Sequence, residues 1–384
     1  MRVAFYAPLK PPDHQIPSGD RRVARLLMSA LGHAGHRVVL ASRLRAFDGA
    51  GDPAVQERIR QQGEAEAAQL MRRYRAAKAD SRPQVWFTYH PYYKAPDWIG
   101  PAVSAALDIP YVIAEASHAP KRAEGPWAAG HAAAAAAIML ADRVLCLNPT
   151  DMPGLLPLVL ERGRLVSIPP FLDAAIYRAA ERGPSRAALA ARLGLALDAP
   201  WLIAVAMMRR DDKLRSYQLL GSALQGLVDR DWRLVVVGDG PARAEVEAAL
   251  APLGARVAWA GAMEPDALPE VYAAMELCVW PAIGEAYGMA LLEAQASGLA
   301  VVAGAHGGVP AIVADGRSGL LTPPGDADAF AAAVARLLDD ANLRIAMGAA
   351  ARDWIARGHD IAAAAELLDA ALRGAVAERR RMIG

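Results

Sequence analysis

Two glutamates, Glu285 and Glu293, stand eight positions apart in "GEAYGMALLEAQASG" (284–298), on either side of a Tyr-Gly-Met turn. Carboxylates accept hydrogen bonds from hydroxyls and repel phosphate. A wholly helical path from 285 to 293 would separate the pair by about 12 Å at 1.5 Å per residue. That spacing suits one ligand with a hydroxyl-rich group at each end and an anion between them. Gly288 can open a helix whose unpaired N–H groups point at that anion. The alternative is a pair of solvated surface groups. Upstream, "VAMMRRDDKLRSYQLL" places Arg209, Arg210 and Lys213 just past a strand-like run, where parallel α/β sheets bind ligands. Ordinary surface charge is the competing reading there.

The first half offers different chemistry. "WFTYHPYYKAPDW" (86–98) is the most aromatic stretch, with Tyr89, His90, Tyr92, Tyr93 and Trp98 after a strand end. Such rings suit a sugar or another ring-bearing ligand, or else form a local aromatic core. His118 in "AEASHAPKR" follows a strand, where a histidine can position a ligand by hydrogen bonds; a bland loop histidine is the alternative. Gly19 opens a helix after a long loop and permits close backbone approach, or is a simple turn glycine. "GDADAF" carries Asp-x-Asp, but before a helix Asp is an ordinary cap. The histidines do not cluster at ligand spacings, so no metal site is expected.

These residues need a scaffold of parallel strands. Strand-like runs at 2–7, 37–42, 84–89, 110–115 and 143–148 alternate with helical patterns. A second series follows at 201–207, 233–240, 256–262, 277–282, 300–304 and 318–323. Alternating βα units predict doubly wound parallel sheets. The pattern loosens around 149–200, where prolines interrupt it, so a domain junction is expected there. The reading is one domain over 1–175, with the C-terminal helix 361–384 able to cross back onto it, and a second over 176–360. A ligand is expected in a cleft between two such domains. The charged helix near 54–77 carries "RRYR" (72–75), which reads as a solvated face, with anion or membrane contact as the alternative.

At 384 residues the chain suits two domains. Its 42 basic and 41 acidic residues give no basic excess, so nothing supports nucleic-acid binding. Cys146 and Cys278 lie in apolar runs and read as buried free thiols of a reducing compartment. "MRVAFYAPLK" reads as a first strand rather than a leader. The longest apolar stretch, 126–141, is shorter than the roughly 20 residues of a membrane-spanning helix, so a buried helix is expected there. A cytoplasmic location follows.

Together, the pieces over 284–326 resemble the signature region of the family 4 glycosyltransferases. They are Glu285 and Glu293, then "GGVPAIV", "DGRSGLL" and "PPGD", with "VVVGDGPAR" and "AGAMEPDALPEVYAAMELCVWPA" upstream. The resemblance is strong over about 200–330 and weaker but continuous before it. It implies the GT-B fold: two Rossmann-like domains, the first binding the acceptor and the second the nucleotide-sugar donor. It also implies retention of anomeric configuration, a nucleotide-diphosphate sugar as co-substrate with UDP-sugar favoured, and no required cofactor.

By that resemblance Glu293 binds ribose hydroxyls and Glu285 the donor sugar. Arg209 and Lys213, with Arg210 as a competitor, hold the diphosphate beside the turn Ala286, Tyr287, Gly288 and Met289. The glycine usual after the lysine is missing. Gly19 lies against the donor phosphates, although Ser18-Gly19-Asp20 stands where a Gly-Gly pair is common. His118 and His306 adjoin the donor sugar, and Tyr89, His90, Tyr92, Tyr93 and Trp98 meet a small-molecule or glycan acceptor. Two alternatives stay open: a sugar-nucleotide-processing enzyme of the same fold, epimerase-like, or a non-catalytic nucleotide-sugar-binding protein.

Overall fold

Twelve strands build two six-stranded sheets in which every pairing is parallel, among residues 1–16 and 18–383 described by the computed structural model. The first sheet contains β1 (Arg2–Tyr6), β2 (Arg37–Leu40), β3 (Val85–Tyr89), β4 (Tyr111–Ala114), β5 (Arg143–Cys146) and β6 (Leu165–Ser167). Their spatial order is β2-β1-β3-β4-β5-β6. β1, β3, β4 and β5 are apolar and almost wholly buried, as strands covered by helices on both faces must be.

The second sheet contains β7 (Trp201–Val205), β8 (Arg233–Val237), β9 (Val257–Gly261), β10 (Leu277–Trp280), β11 (Ala300–Gly304) and β12 (Gly319–Thr322). Their order is β12-β11-β10-β7-β8-β9. Trp201, Trp232, Tyr217 and Tyr272 fill its core. Strand order therefore reverses between β1 and β3 in one sheet and between β7 and β10 in the other. At such reversals neighbouring crossovers run to opposite faces and leave a crevice at the carboxyl ends of the strands.

The chain divides into two units. The first is Met1–Ile168 with the C-terminal helix Ile361–Ile383, and the second is Pro169–Asp360. The C-terminal helix buries Leu368, Leu372 and Ala375 and is also tied to the first unit by charge. Arg143 forms a two-pronged pair with Glu378 at 2.5 and 2.7 Å, and Arg379 reaches Asp108 and Asp142 at 3.1 Å each. Residue 384, the end of the expected C-terminal helix, lies outside the described residues.

The parallel doubly wound class is as the sequence pattern predicts. β6 is a strand the pattern misses, because it is three residues long and only half-buried at the sheet edge. Both cysteines are buried and free. The alanine-rich stretch forms the helix Ala128–Leu140, and no described helix is long and apolar enough to cross a membrane.

Candidate functional site

Lys213 and Glu285 meet at the reversal point of the second sheet. Lys213 lies in the first turn of the helix Asp212–Gln225, which follows β7, and Glu285 lies in the loop after β10. The ammonium donates to Glu285 Oε2, and the indole Nε1 of Trp280 donates to the same oxygen at 3.3 Å. Lys213 Nζ also sits 5.6 Å from the centre of the Trp280 ring. Both charged side chains are mostly covered, at 23% and 17% exposure, so their attraction is less screened than that of a surface pair.

The loop carrying the cations is held by backbone. Met208 N–H donates to Asp239 C=O and Ala242 N–H to Met208 C=O, each at 2.9 Å. This strapping needs glycine at position 240. Its φ is 151°, and a Cβ there would lie 2.4 Å from the Met208 carbonyl oxygen. The "GDG" of the sequence thus shapes the segment between Met208 and Lys213. Within that segment the two arginines separate. Arg210 is engaged by Glu245 at 2.5 Å, whereas exposed Arg209 has only the Met207 sulfur at 3.4 Å among described partners.

The helix after Glu285 is Met289–Ala296, preceded by Gly288 in a left-handed conformation with φ 73°. That φ suits glycine and turns the chain from the Glu285 loop into the helix. The chain from Glu285 to Gly288 is not helical, so the two glutamates differ in setting. Glu293 is 1% exposed, inside the unit, and its Oε2 accepts from Tyr272 Oη at 3.1 Å. His306 is half-buried in the next loop, where its N–H donates to Gly304 C=O at 2.8 Å. The backbone of that loop at Gly307 and Gly308 lies against the carbonyls of Glu285 and Ala286. Glu285, Ala286, Tyr287, Gly288, Met289, His306 and Lys213 are thus gathered around one loop, with Arg209 on a neighbouring exposed segment.

The first unit has its own polar centre at its own reversal point. Gly19 begins the helix Gly19–His33, whose cap is Ser18, and nothing lies within 4 Å of where its Cβ would be. Asp20, next in that helix, lies 3.0 Å from Nδ1 of His90, the residue after β3. His90 and Glu115 follow adjacent strands with φ 59° and 56°, a conformation side-chain-bearing residues rarely hold. Burial pulls the His90 imidazole down, but its bond to Asp20 and the charges of Glu115, Asp20 and Asp151 outweigh this and raise it above 6.5. The same bond is the largest influence on Asp20 and keeps its carboxyl below 3.8. Burial pushes the Glu115 and Asp151 carboxyls upward.

The aromatic stretch splits between core and surface. Tyr89 is buried in the unit, whereas Tyr92, Tyr93 and Trp98 are half-buried. Rings of His90, Tyr92, Tyr93 and Trp127 follow one another at 5.2 to 5.8 Å. The segment is pinned by buried Asp97, which accepts from Thr88, Tyr111 and the N–H groups of Ile99 and Gly100. His118 packs on His131 with ring centres 4.6 Å apart, and burial, then the neighbouring imidazole, lowers its pKa. Sequence reasoning did not single out Asp20, Glu115, Asp151 or Trp280. Their only signal was position at a strand end or in a first helical turn.

Comparison with known proteins is consistent with this arrangement. Residues 199–340 match the model of Glycosyl transferases group 1. D-inositol 3-phosphate glycosyltransferase of Acidothermus cellulolyticus is 33% identical over 215 residues, covering 53% of this chain and 47% of that protein. The chain spans less than two thirds of the length of the curated relatives it matches first. Sucrose-phosphate synthase of Thermosynechococcus elongatus superposes with a TM-score of 0.70 at 20% identity, over 98% of this chain and 99% of that one. The Anabaena protein HepE, solved with UDP, superposes with a TM-score of 0.71 at 16% identity, over 97% and 100%. The chain has the GT-B fold, and its residues 199–340 are similar to the glycosyl transferases group 1 family.

Proposed function

We propose that this protein is a glycosyltransferase that moves a sugar from a nucleotide-diphosphate donor, UDP-sugar in preference, to a hydroxyl of a small-molecule or glycan acceptor. The carrying observation is the meeting of Lys213 and Glu285 over Trp280 beside the opening of the helix Met289–Ala296, inside the matched domain. Lys213 and Arg209 supply charge for the diphosphate, and the helix opening at Gly288 and Met289 adds N–H groups. Glu285 and His306 take sugar hydroxyls; Glu293, buried against Tyr272, keeps the ribose role only as the resemblance implies it.

The second unit is then the donor domain. The first unit is the acceptor domain, with His118 and the aromatic stretch facing the acceptor and the transferred sugar. In the reaction the bond between the anomeric carbon and the diphosphate oxygen breaks, and the acceptor oxygen bonds to that carbon. Retention follows if the acceptor attacks from the leaving-group face and passes its proton to the departing phosphate. Arg209 and Lys213 stabilise the charge on the leaving diphosphate without themselves exchanging a proton. The chemistry needs no metal or redox cofactor.

The test is a thermal-shift screen against UDP, GDP, ADP and their sugars. A ligand at about 100 times its dissociation constant stabilises the fold by roughly 2.7 kcal/mol. UDP and a UDP-sugar are expected to shift the melting temperature most. No shift with any nucleotide would overturn the proposal.

A further inference from the structure

Two cations in the first unit share one pair of aromatic rings. Lys94 Nζ lies 4.9 Å from the centre of the Trp127 ring and 5.8 Å from that of Tyr93. The Arg122 guanidinium carbon lies 5.3 Å and 5.4 Å from the same two rings. Both residues are half-buried, and among the described residues neither forms an ion pair with a carboxylate. Arg122 Nε is buried without a hydrogen-bond partner. Like charges gathered on one platform repel, and the buried Arg122 Nε has lost water without gaining an acceptor. Ring contacts offset part of this, but they leave the N–H donors unused.

The platform is rigid. Trp127 Nε1 donates to Asp48 C=O at 3.3 Å, and Asp48 N–H donates to Lys94 C=O at 2.9 Å. The rings meet edge-on at 5.8 Å. Tyr93 and Lys94 also form part of the wall of a largely apolar cavity of about 310 Å³, together with Gln56 and Trp98. Two carboxylates of that wall are occupied elsewhere. Asp48 accepts from Gln56 and Ala50, and Glu57 from Arg60 and Gln61. Lys94 is thus a cation of the cavity wall without a carboxylate partner, and Arg122 stands beside that wall on the same two rings.

We propose that Lys94 and Arg122 form a binding site for an oxyanion carried by the acceptor, a phosphate or a carboxylate, whose body occupies the adjoining cavity. This rests on the transferase reading and adds to it the class of acceptor: an anionic one. A guanidinium presents two parallel donors to such a group, and the ammonium adds a point charge.

The test is calorimetric titration of the full chain with inorganic phosphate while UDP saturates the donor domain, with chloride at equal ionic strength as control. Wild type is expected to bind phosphate, and K94M and R122M to lose about tenfold or more, the loss expected when a charge-assisted hydrogen bond disappears. R122K, which keeps the charge and the packing, should recover part of the affinity. UDP binding should be equal in all four proteins. Equal phosphate binding by wild type, K94M and R122M would overturn the proposal. Failure of UDP to bind would instead strike at the transferase reading, and the phosphate comparison could still be made without it. Two further arms separate sources of the anion. Glucose 6-phosphate binding well above glucose, without R122-dependent retention on phosphatidylglycerol vesicles, is expected for a soluble acceptor. The reverse pattern would overturn that assignment in favour of a lipid headgroup.

Discussion

Lys213 and Glu285, 72 positions apart in sequence, pair across the point where the second sheet reverses its strand order. Asp20 and His90, 70 positions apart, pair across the corresponding reversal in the first sheet. Each unit thus closes its own crevice with one acidic and one basic side chain. Neither pairing is visible in the linear sequence.

The second-unit pair gives a separable prediction. In the proposed roles, Glu285 meets the sugar and Lys213 the diphosphate. E285Q should leave UDP affinity within a few-fold of wild type, while turnover falls about 10- to 100-fold, the range for losing one hydrogen bond to a charged group. K213M should weaken UDP itself by a similar factor. Calorimetry with UDP alongside sugar-transfer rates distinguishes the two. Equal UDP loss in both variants would contradict the division of labour.

Arg209 and Arg210 are adjacent but differ in commitment. Because Arg210 already lies 2.5 Å from Glu245, it has less to offer a diphosphate than exposed Arg209. R209Q is expected to lower UDP affinity about tenfold. R210Q should change it by less than about threefold, and so should E245Q. Titration of UDP into the three variants checks this, and a larger effect from R210Q would reverse the choice.

Backbone strapping at Gly240 makes a stability prediction. A Cβ placed 2.4 Å from the Met208 carbonyl at φ 151° cannot be accepted without moving the loop. G240A should lose roughly 2 kcal/mol or more, the scale of backbone strain at such positions. UDP affinity should drop with it, because the displaced loop carries Arg209 and leads into the helix turn that holds Lys213. A substitution at Gly183, around which nothing lies within 4 Å and whose φ is not positive, should leave UDP binding unchanged. Denaturant melts and UDP titrations on both variants provide the measurement.

The first-unit pair should show in the pH dependence of stability. His90 is raised above 6.5, so its contribution is full below that value and fades as pH rises through the higher folded value. Asp20 is lowered below 3.8, so its contribution is present above that value and fades as pH falls through the lower folded value. The gap in melting temperature between wild type and D20N should therefore be larger near pH 5.5 than near pH 8.5. The pair is partly exposed, at 21% and 34%, so solvent screening keeps the effect modest. A gap that grows with pH would show that the pair is not charged as described.

Much of the fold was legible because buried parallel strands have a local signature. "VWFTY", "WLIAV" and "AVVAG" are short apolar runs bounded by polar or breaking residues, and each is a strand. β6 was illegible because two half-buried residues and one exposed residue at an edge carry little pattern. The candidate site was legible by residue type but not by environment. Spacing treated Glu285 and Glu293 as equivalent, yet one lies in a loop beside a lysine and the other is covered within a helix. What separates them is the left-handed turn at Gly288, a backbone property that residue spacing alone does not display.

In the proposed roles, the contact between Lys213 and Glu285 would also act as a two-key lock. A lone phosphate that takes Lys213 strands the Glu285 carboxylate with only the Trp280 N–H, and a lone sugar that takes Glu285 strands the ammonium. Each half-ligand must break a mostly covered ion pair and satisfy only one side of it. A molecule bearing both a diphosphate and a sugar replaces both partners at once. In the proposed roles, the whole donor would therefore satisfy both members of the pair, which neither of its halves does.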